Sequence, residues 1–259
     1  MRICLALISM AALAVSLAHA AGLPDTGQTI CYNGIATDGV AASSPSSVSA
    51  DSGGFPRQDC RYGRDPAAAA GVVTKIGGGA AGLDYTKIAN NGSTLAASAT
   101  LGTNPTDWAC TRDNITGLTW EVKTTSGMRN SASTYTWLSS NAATNGGVAG
   151  TANGGTCSGG TGCDTEKFVA DVNAAALCSY GDWRMPTERE LLTLVLADGS
   201  NPSIDPTYFP NTQSSDFWSG MSYVPYAALA WDVYFGLGGN GAGPKSLTFY
   251  VRLVRGGQF

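Results

Sequence analysis

The sequence predicts an α+β fold: a domain over residues 105–259 with two helices and a small, mainly antiparallel sheet, preceded by a loop-rich, disulfide-bridged segment over residues 21–104. Three observations carry that expectation. Strand-like and helix-like runs are segregated along the chain rather than alternating, which favours α+β over a doubly wound parallel sheet. Aromatic and branched residues concentrate from Trp108 onward, so the core belongs there. Of the seven cysteines, all but Cys4 lie beyond residue 20, an even set with no Cys-x-x-Cys pair.

The first element, residues 1–20, reads as an export leader. Arg2 precedes an apolar run from Ile3 to Leu17, and Ala18-His19-Ala20 supplies the small residues of a cleavage site after Ala20. The run is shorter than the roughly 20 residues of a spanning helix, so no membrane span is expected. The expected location is outside the cytoplasm: periplasm, cell surface or medium. Thiols pair in such compartments. Cys157 and Cys163 bracket the tip Ser158-Gly159-Gly160-Thr161-Gly162 and can close a small loop; neighbourhood puts Cys31 with Cys60, leaving Cys110 with Cys178. The single histidine, His19, leaves with the leader. That removes Ser-His-Asp and Cys-His nucleophiles and histidine-ligated metals, and no catalytic residue is assigned. Loss of Arg2 takes the net charge from −4 to −5, which argues against nucleic acid as a partner.

From Gly22 to about Thr103 the chain is rich in Ala, Gly and Ser and reads as extended or loop-like. Asp113-Asn114-Ile115-Thr116-Gly117 reads as a turn, followed by a half-buried strand in which Leu118, Trp120 and Val122 alternate with polar residues. Two helices follow. Asp164 or Thr165 caps the first, Phe168, Val172 and Ala175 or Ala176 form its stripe, and Gly181 ends it. Thr187 and Glu190 stand at capping-box spacing before Leu191, Leu192, Leu194 and Val195, with Gly199 as the stop. Strand-like runs then cover Phe217–Gly220, Ala230–Phe235 and Leu247–Val254. In the middle run Trp231, Val233 and Phe235 share one face, and Asp232 and Tyr234 the other.

Several stretches together resemble the Legionella collagen-like (Lcl) C-terminal domain family: Leu23 to Tyr32, Gln58 to Gly63, Asp113 to Glu121, Asp182 to Leu192, Phe209-Pro210-Asn211-Thr212, Phe217-Trp218-Ser219 and Tyr250 to Gln258. The resemblance implies a C-type-lectin-like fold, related to that of formylglycine-generating enzymes and used on bacterial or phage surfaces for attachment. The enzyme relatives use a late cysteine pair, and no cysteine follows Cys178. The Glu-Pro-Asn and Gln-Pro-Asp motifs of calcium-dependent lectins are absent too. The scaffold carries over and those sites do not.

The last forty or so residues also resemble the variable region of proteins diversified by retroelements. That resemblance implies a framework of Trp231, Val233, Phe235 and the Tyr250 to Gln258 ending, with variable positions at Ala227, Ala228, Leu229, Asp232, Tyr234, Gly236, Leu237, Gly239, Asn240, Leu247 and Thr248. The candidate ligand-binding residues are Tyr223, Tyr226, Ala227, Leu229, Asp232, Tyr234, Leu237 and Asn240, whose tyrosines can stack on sugar rings or anchor a protein. The expected function is an adhesin-like recognition module for an extracellular glycan or surface protein. Alternatives are an enzyme of formylglycine-generating or glycosidase type, or a structural, pilus-associated protein. Trp183, Arg184, Pro186 and Thr187 read as scaffold, and Arg252 and Arg255 as partners of core-edge carboxylates. Asp107, Asp113 and Asn114 supply oxygens that Ca2+ could use, but Asx-turn chemistry accounts for them without an ion, so no cofactor is assigned.

Overall fold

The computed structural model describes residues 25–27, 30–31, 40–41, 63–80 and 82–257. The leader expected over residues 1–20, and the expected Cys31–Cys60 bridge through Cys60, fall outside the described residues. Strands β1 (Ile30–Cys31) and β2 (Val40–Ala41) pair with each other, and helix α1 (Arg64–Ala69) follows. Next come β3 (Tyr85–Ala89), β4 (Thr94–Leu95), β5 (Trp108–Asp113) and β6 (Thr119–Glu121). With β12 (Val254–Arg255) they form an antiparallel sheet in the order β12-β6-β5-β3-β4. Two of these strands come from residues 85–95, which composition assigned to the loop-rich segment. The correction has a simple cause: Leu83, Tyr85 and Ile88 are apolar enough to join the core although their surroundings are not.

The second half contributes β7 (Tyr135–Thr136), helix α2 (Thr165–Ala174), a 3₁₀ turn at Leu177–Ser179 and helix α3 (Glu188–Leu192). A three-stranded antiparallel sheet, order β10-β9-β8, follows from β8 (Asp216–Ser222), β9 (Leu229–Tyr234) and β10 (Gly239–Pro244). Strand β11 (Thr248–Phe249) pairs with β7. The domain is thus α+β with antiparallel sheets, as predicted. No helix among the described residues is long and apolar enough to cross a membrane.

Because successive strand residues face opposite ways, the strands feed two apolar clusters. Leu118, Trp120, Phe217, Val233 and Phe235 enter one with Leu191 and Leu194 of the α3 region. Ala109, Cys110, Trp218, Ala230 and Leu253 enter the other with Phe168 and Val172 of α2. Strand β6 is therefore covered on both faces and is not half-buried: Glu121 and Lys123 are inside as well. Their ion pair spans 2.8 Å, the Leu253 N–H donates to Glu121 Oε2, and Lys123 lies over the Phe168 ring.

Both helices begin where predicted and end early. Asp164 caps α2, accepting from the Lys167 N–H, and Phe168 and Val172 are buried, but Ala175 and Ala176 are exposed. Ala176 turns the chain at φ 48°, well before Gly181. The turn is held by the Cys110–Cys178 disulfide and by Asn173, whose side chain bonds the backbone of Trp183 in both directions. In α3 the Thr187–Glu190 capping box is present. The helix stops at Leu192 because Thr193 Oγ1 takes the Glu190 carbonyl and Leu196 bonds Ser203 instead of continuing the ladder. Cys157–Cys163 is also bonded, so two of the three predicted bridges are seen. The predicted strand at Leu247–Val254 divides into β11 and β12.

Candidate ligand-binding face

The β8–β9–β10 sheet carries all eight candidate residues on or beside it. Its turns are fixed from behind by Lys245. That ammonium, 2 % exposed, donates to the carbonyls of Asn145 and Val148 and to Ser222 Oγ at 2.7–2.9 Å, and lies 4.2 Å from the Trp137 ring centre. Its own N–H bonds the Ala228 carbonyl, tying the β8–β9 turn to the β10–β11 turn. Within the first of these, Tyr226 N–H bonds the Tyr223 carbonyl and Tyr223 N–H bonds the Leu229 carbonyl. The Tyr223 and Tyr226 rings stack at 6.1 Å, and Trp231 meets Tyr223 edge-on at 4.8 Å.

At the other end of β9, about 20 Å away for six extended residues, the Phe235–Gly238 turn presents Leu237, with Tyr234 and Asn240 on the flanking strands. Gly238 closes that turn at φ 75°, its N–H bonding the Tyr234 carbonyl. The Asn240 side-chain amide donates to Glu188 of α3, which joins the strand to the helix. The predicted residues are therefore two clusters at opposite ends of one strand rather than one patch. Tyr226, Tyr234 and Leu237 are exposed, Asn240 also, whereas Tyr223, Ala227 and Leu229 are half-buried.

Asp232 departs from the outward position expected of it. It is buried, paired across the sheet with Trp218 and Gly241, because the second apolar cluster covers this face of β9 as the first covers the other. Burial pushes its carboxyl up to about 6, the neighbouring Asp216 carboxyl adds to the rise, and the Gly243 N–H opposes it. Asp216 is pushed up too, chiefly by burial. Trp231 is only half-buried, while Val233 and Phe235 are fully inside. Strand β10 was not foreseen. Its sequence, Gly-Asn-Gly-Ala-Gly-Pro, pairs with β9 through backbone alone and carries neither β-branched nor aromatic signal.

The remaining sequence assignments fall outside the face. Arg184 holds Glu190 with two bonds of 2.8 and 2.6 Å. Burial pushes the Glu190 carboxyl up, but the Arg184 guanidinium and the Thr187 N–H more than reverse this and leave it below the usual range. Arg184, Thr187 and Glu190 line a groove of about 360 Å3 with Gly220 and Met221 of β8. Arg255 grips Asp182 at 2.6 and 3.0 Å over the Tyr180 ring. Arg252, fully buried, meets no carboxylate directly among the described residues; it donates to the Glu121 carbonyl and Thr212 Oγ1. Asp113 accepts from Ile115, Thr116 N–H and the Thr116 hydroxyl as an Asx turn, while Asp107 serves Asn104 and Asn114 serves Asp84 and Thr86. Each of the three side chains thus has protein hydrogen-bond partners of its own.

Met221, Val224 and Leu247, which the sequence reading left out of the binding set, are 43, 90 and 46 % exposed on this same unit. Their signal was available as apolar residues in turn-rich sequence. No curated protein and no solved structure matches the chain. The model of the Lcl C-terminal domain matches residues 109–255, from the first residues of β5 to the end of β12. The chain therefore belongs to the Lcl C-terminal domain family.

Proposed function

We propose that this protein is an exported recognition module that binds a surface protein through the turns of its β8–β9–β10 unit, and that it acts by binding rather than catalysis. One observation carries the reading. Of nine large hydrophobic residues exposed among the described residues, six (Met221, Val224, Tyr226, Tyr234, Leu237 and Leu247) fall within 221–247. They stand in or beside the turns at the two ends of β9, and apolar groups grouped at turns in this way support contact points for a partner, whereas singly scattered ones need no explanation. Val224 and Leu237, at 90 and 85 % exposure, are the most exposed of them and offer no polar handle, which favours a protein partner. The stacked Tyr223 and Tyr226 rings support a second reading, a glycan laid across them.

The scaffold reading is the C-type-lectin-like one that the family resemblance implies. Diversification of this segment fits the exposure pattern: the proposed variable positions are exposed or half-buried, apart from Asp232 and Gly236, while Val233, Phe235 and Val251 to Val254 are inside. Export is supported by two disulfides, which persist in oxidising compartments. The test is an array of surface proteins and glycans probed with the purified secreted chain. A hit lost in Tyr226→Ala or Leu237→Ala supports the face, and a hit indifferent to both removes it. Thiol titration that finds no free thiol counts against formylglycine-generating chemistry.

A further inference from the structure

A second cavity lies away from this face. It measures about 450 Å3 and opens between the Asn90–Asn91 turn, the 124–129 segment and the C-terminal end of α2. That size falls within the roughly 300–1,000 Å3 of small-molecule sites. Pro105, Met128, Val172 and Leu177 give it apolar walls, and Ala175, which also lines it, is exposed. Among the described residues Arg129 is the sole charged side chain in the lining; in a chain of net charge −4, no described carboxylate joins it.

Arg129 is also short of counter-charge. Its Nη1 donates to the carbonyls of Ala109 and Val122 at 2.9 and 2.6 Å, and no carboxylate lies within ion-pair distance of it among the described residues. Glu121, whose charge Arg129 and Arg252 both feel, is already engaged by Lys123 at 2.8 Å and by the Leu253 N–H. Among the described residues, three cations lean on this one carboxylate. An anion entering the cavity would meet the Arg129 guanidinium with this excess of positive charge behind it.

Disulfides and hydrogen bonds within the chain fix the walls. On one side the Cys110–Cys178 disulfide holds the turn after α2, in which Ala176, Cys178 and Ser179 all keep positive φ, and the Trp183 indole N–H holds the Leu177 carbonyl. On the other, the Cys157–Cys163 loop braces the 126–128 segment, with Ser158 Oγ bonded to the Gly127 carbonyl at 3.1 Å. A pocket already held in shape loses little entropy when it is filled.

We propose that this cavity binds a small organic carboxylate with an apolar body, the carboxylate on the Arg129 guanidinium and the hydrocarbon against Met128, Val172 and Leu177. The site is independent of the β8–β9–β10 face and does not rest on that reading.

Octanoate, octanamide and acetate, titrated calorimetrically into the secreted chain at constant ionic strength, provide the test. Octanoate is expected to bind, with octanamide and acetate each at least about tenfold weaker, since one lacks the charge and the other the apolar body. Ala175→Trp, at an exposed position, should abolish octanoate binding while leaving the unfolding midpoint in place. Arg129→Gln should bind octanoate and octanamide alike; should it fail to fold, Ala175→Trp decides alone. Tyr226→Ala should bind octanoate as the parent does. The proposal is overturned by no octanoate binding at millimolar concentration, by equal binding of octanamide to the parent chain, or by Ala175→Trp that binds normally.

Discussion

Removing the Cys110–Cys178 bridge tests how much of the framework depends on covalent closure. The bridge joins residues 68 apart, linking β5 to the turn after α2, and both cysteines are fully buried. If its effect is to restrict the unfolded chain, closing a loop of that length is worth about 4 kcal/mol. The Cys157–Cys163 bridge spans only 6 residues, and the same relation gives about 2 kcal/mol. The paired variants Cys110→Ala/Cys178→Ala and Cys157→Ala/Cys163→Ala should therefore differ, the first losing about twice as much as the second. Burial adds to the gap, because two Cys side chains leave the second apolar cluster in the first variant. Equilibrium unfolding in urea, followed by tryptophan fluorescence, measures both losses. Equal losses, or a larger loss from the small loop, would refute the reasoning; it would mean that native-state strain or residual structure outweighs loop closure.

Two further outcomes follow from individual side chains. Asp232 has a folded-state carboxyl raised to about 6 from an ordinary 3.8, so the folded chain holds a proton that the unfolded chain releases between those values, and its contribution to stability is lost as pH rises through that window. Asp232→Asn should gain about 1–2 kcal/mol over the parent at pH 7, after allowance for partial screening, and the gain should vanish near pH 4; urea midpoints across pH 4 to 7.5 check this, and a constant difference would contradict it. Thr187→Ala removes one half of the capping box on α3 and should cost about 1 kcal/mol, read from the thermal midpoint; no loss would mean that Arg184 alone holds Glu190 in place.

The parts of this structure legible in the sequence were those set by short-range chemistry. Asp113 with Thr116, Asp164 before α2 and Thr187 with Glu190 each satisfy backbone N–H groups within three residues, so spacing alone identified them. The local Cys157–Cys163 loop was legible for the same reason. What escaped was decided at long range. Asp232 and Glu121 alternate with apolar neighbours as surface residues do, yet both are interior because a second apolar layer covers the face they occupy. Strand β10 forms because β9 offers its edge, and its glycines carry no signal of that. The early end of α2 depends on Cys178 meeting Cys110, a contact between residues 68 apart. For the candidate face, the turn location was legible; its division into two clusters followed only from the length and register of β9. Arg129 was not singled out because one arginine near a turn has no distinguishing spacing; its cavity is assembled from four separate stretches of chain.

The central claim separates a rigid framework from a binding surface that contributes little to folding. Its most direct test is a single chain with Tyr226→Ser, Tyr234→Ser and Leu237→Ser combined, measured for both unfolding free energy and capture of the partner found with the parent. Since these side chains are 66, 37 and 85 % exposed, the unfolding free energy should stay within about 1 kcal/mol of the parent while capture is lost. A chain that keeps its partner, or that loses capture only because it unfolds, would contradict the account.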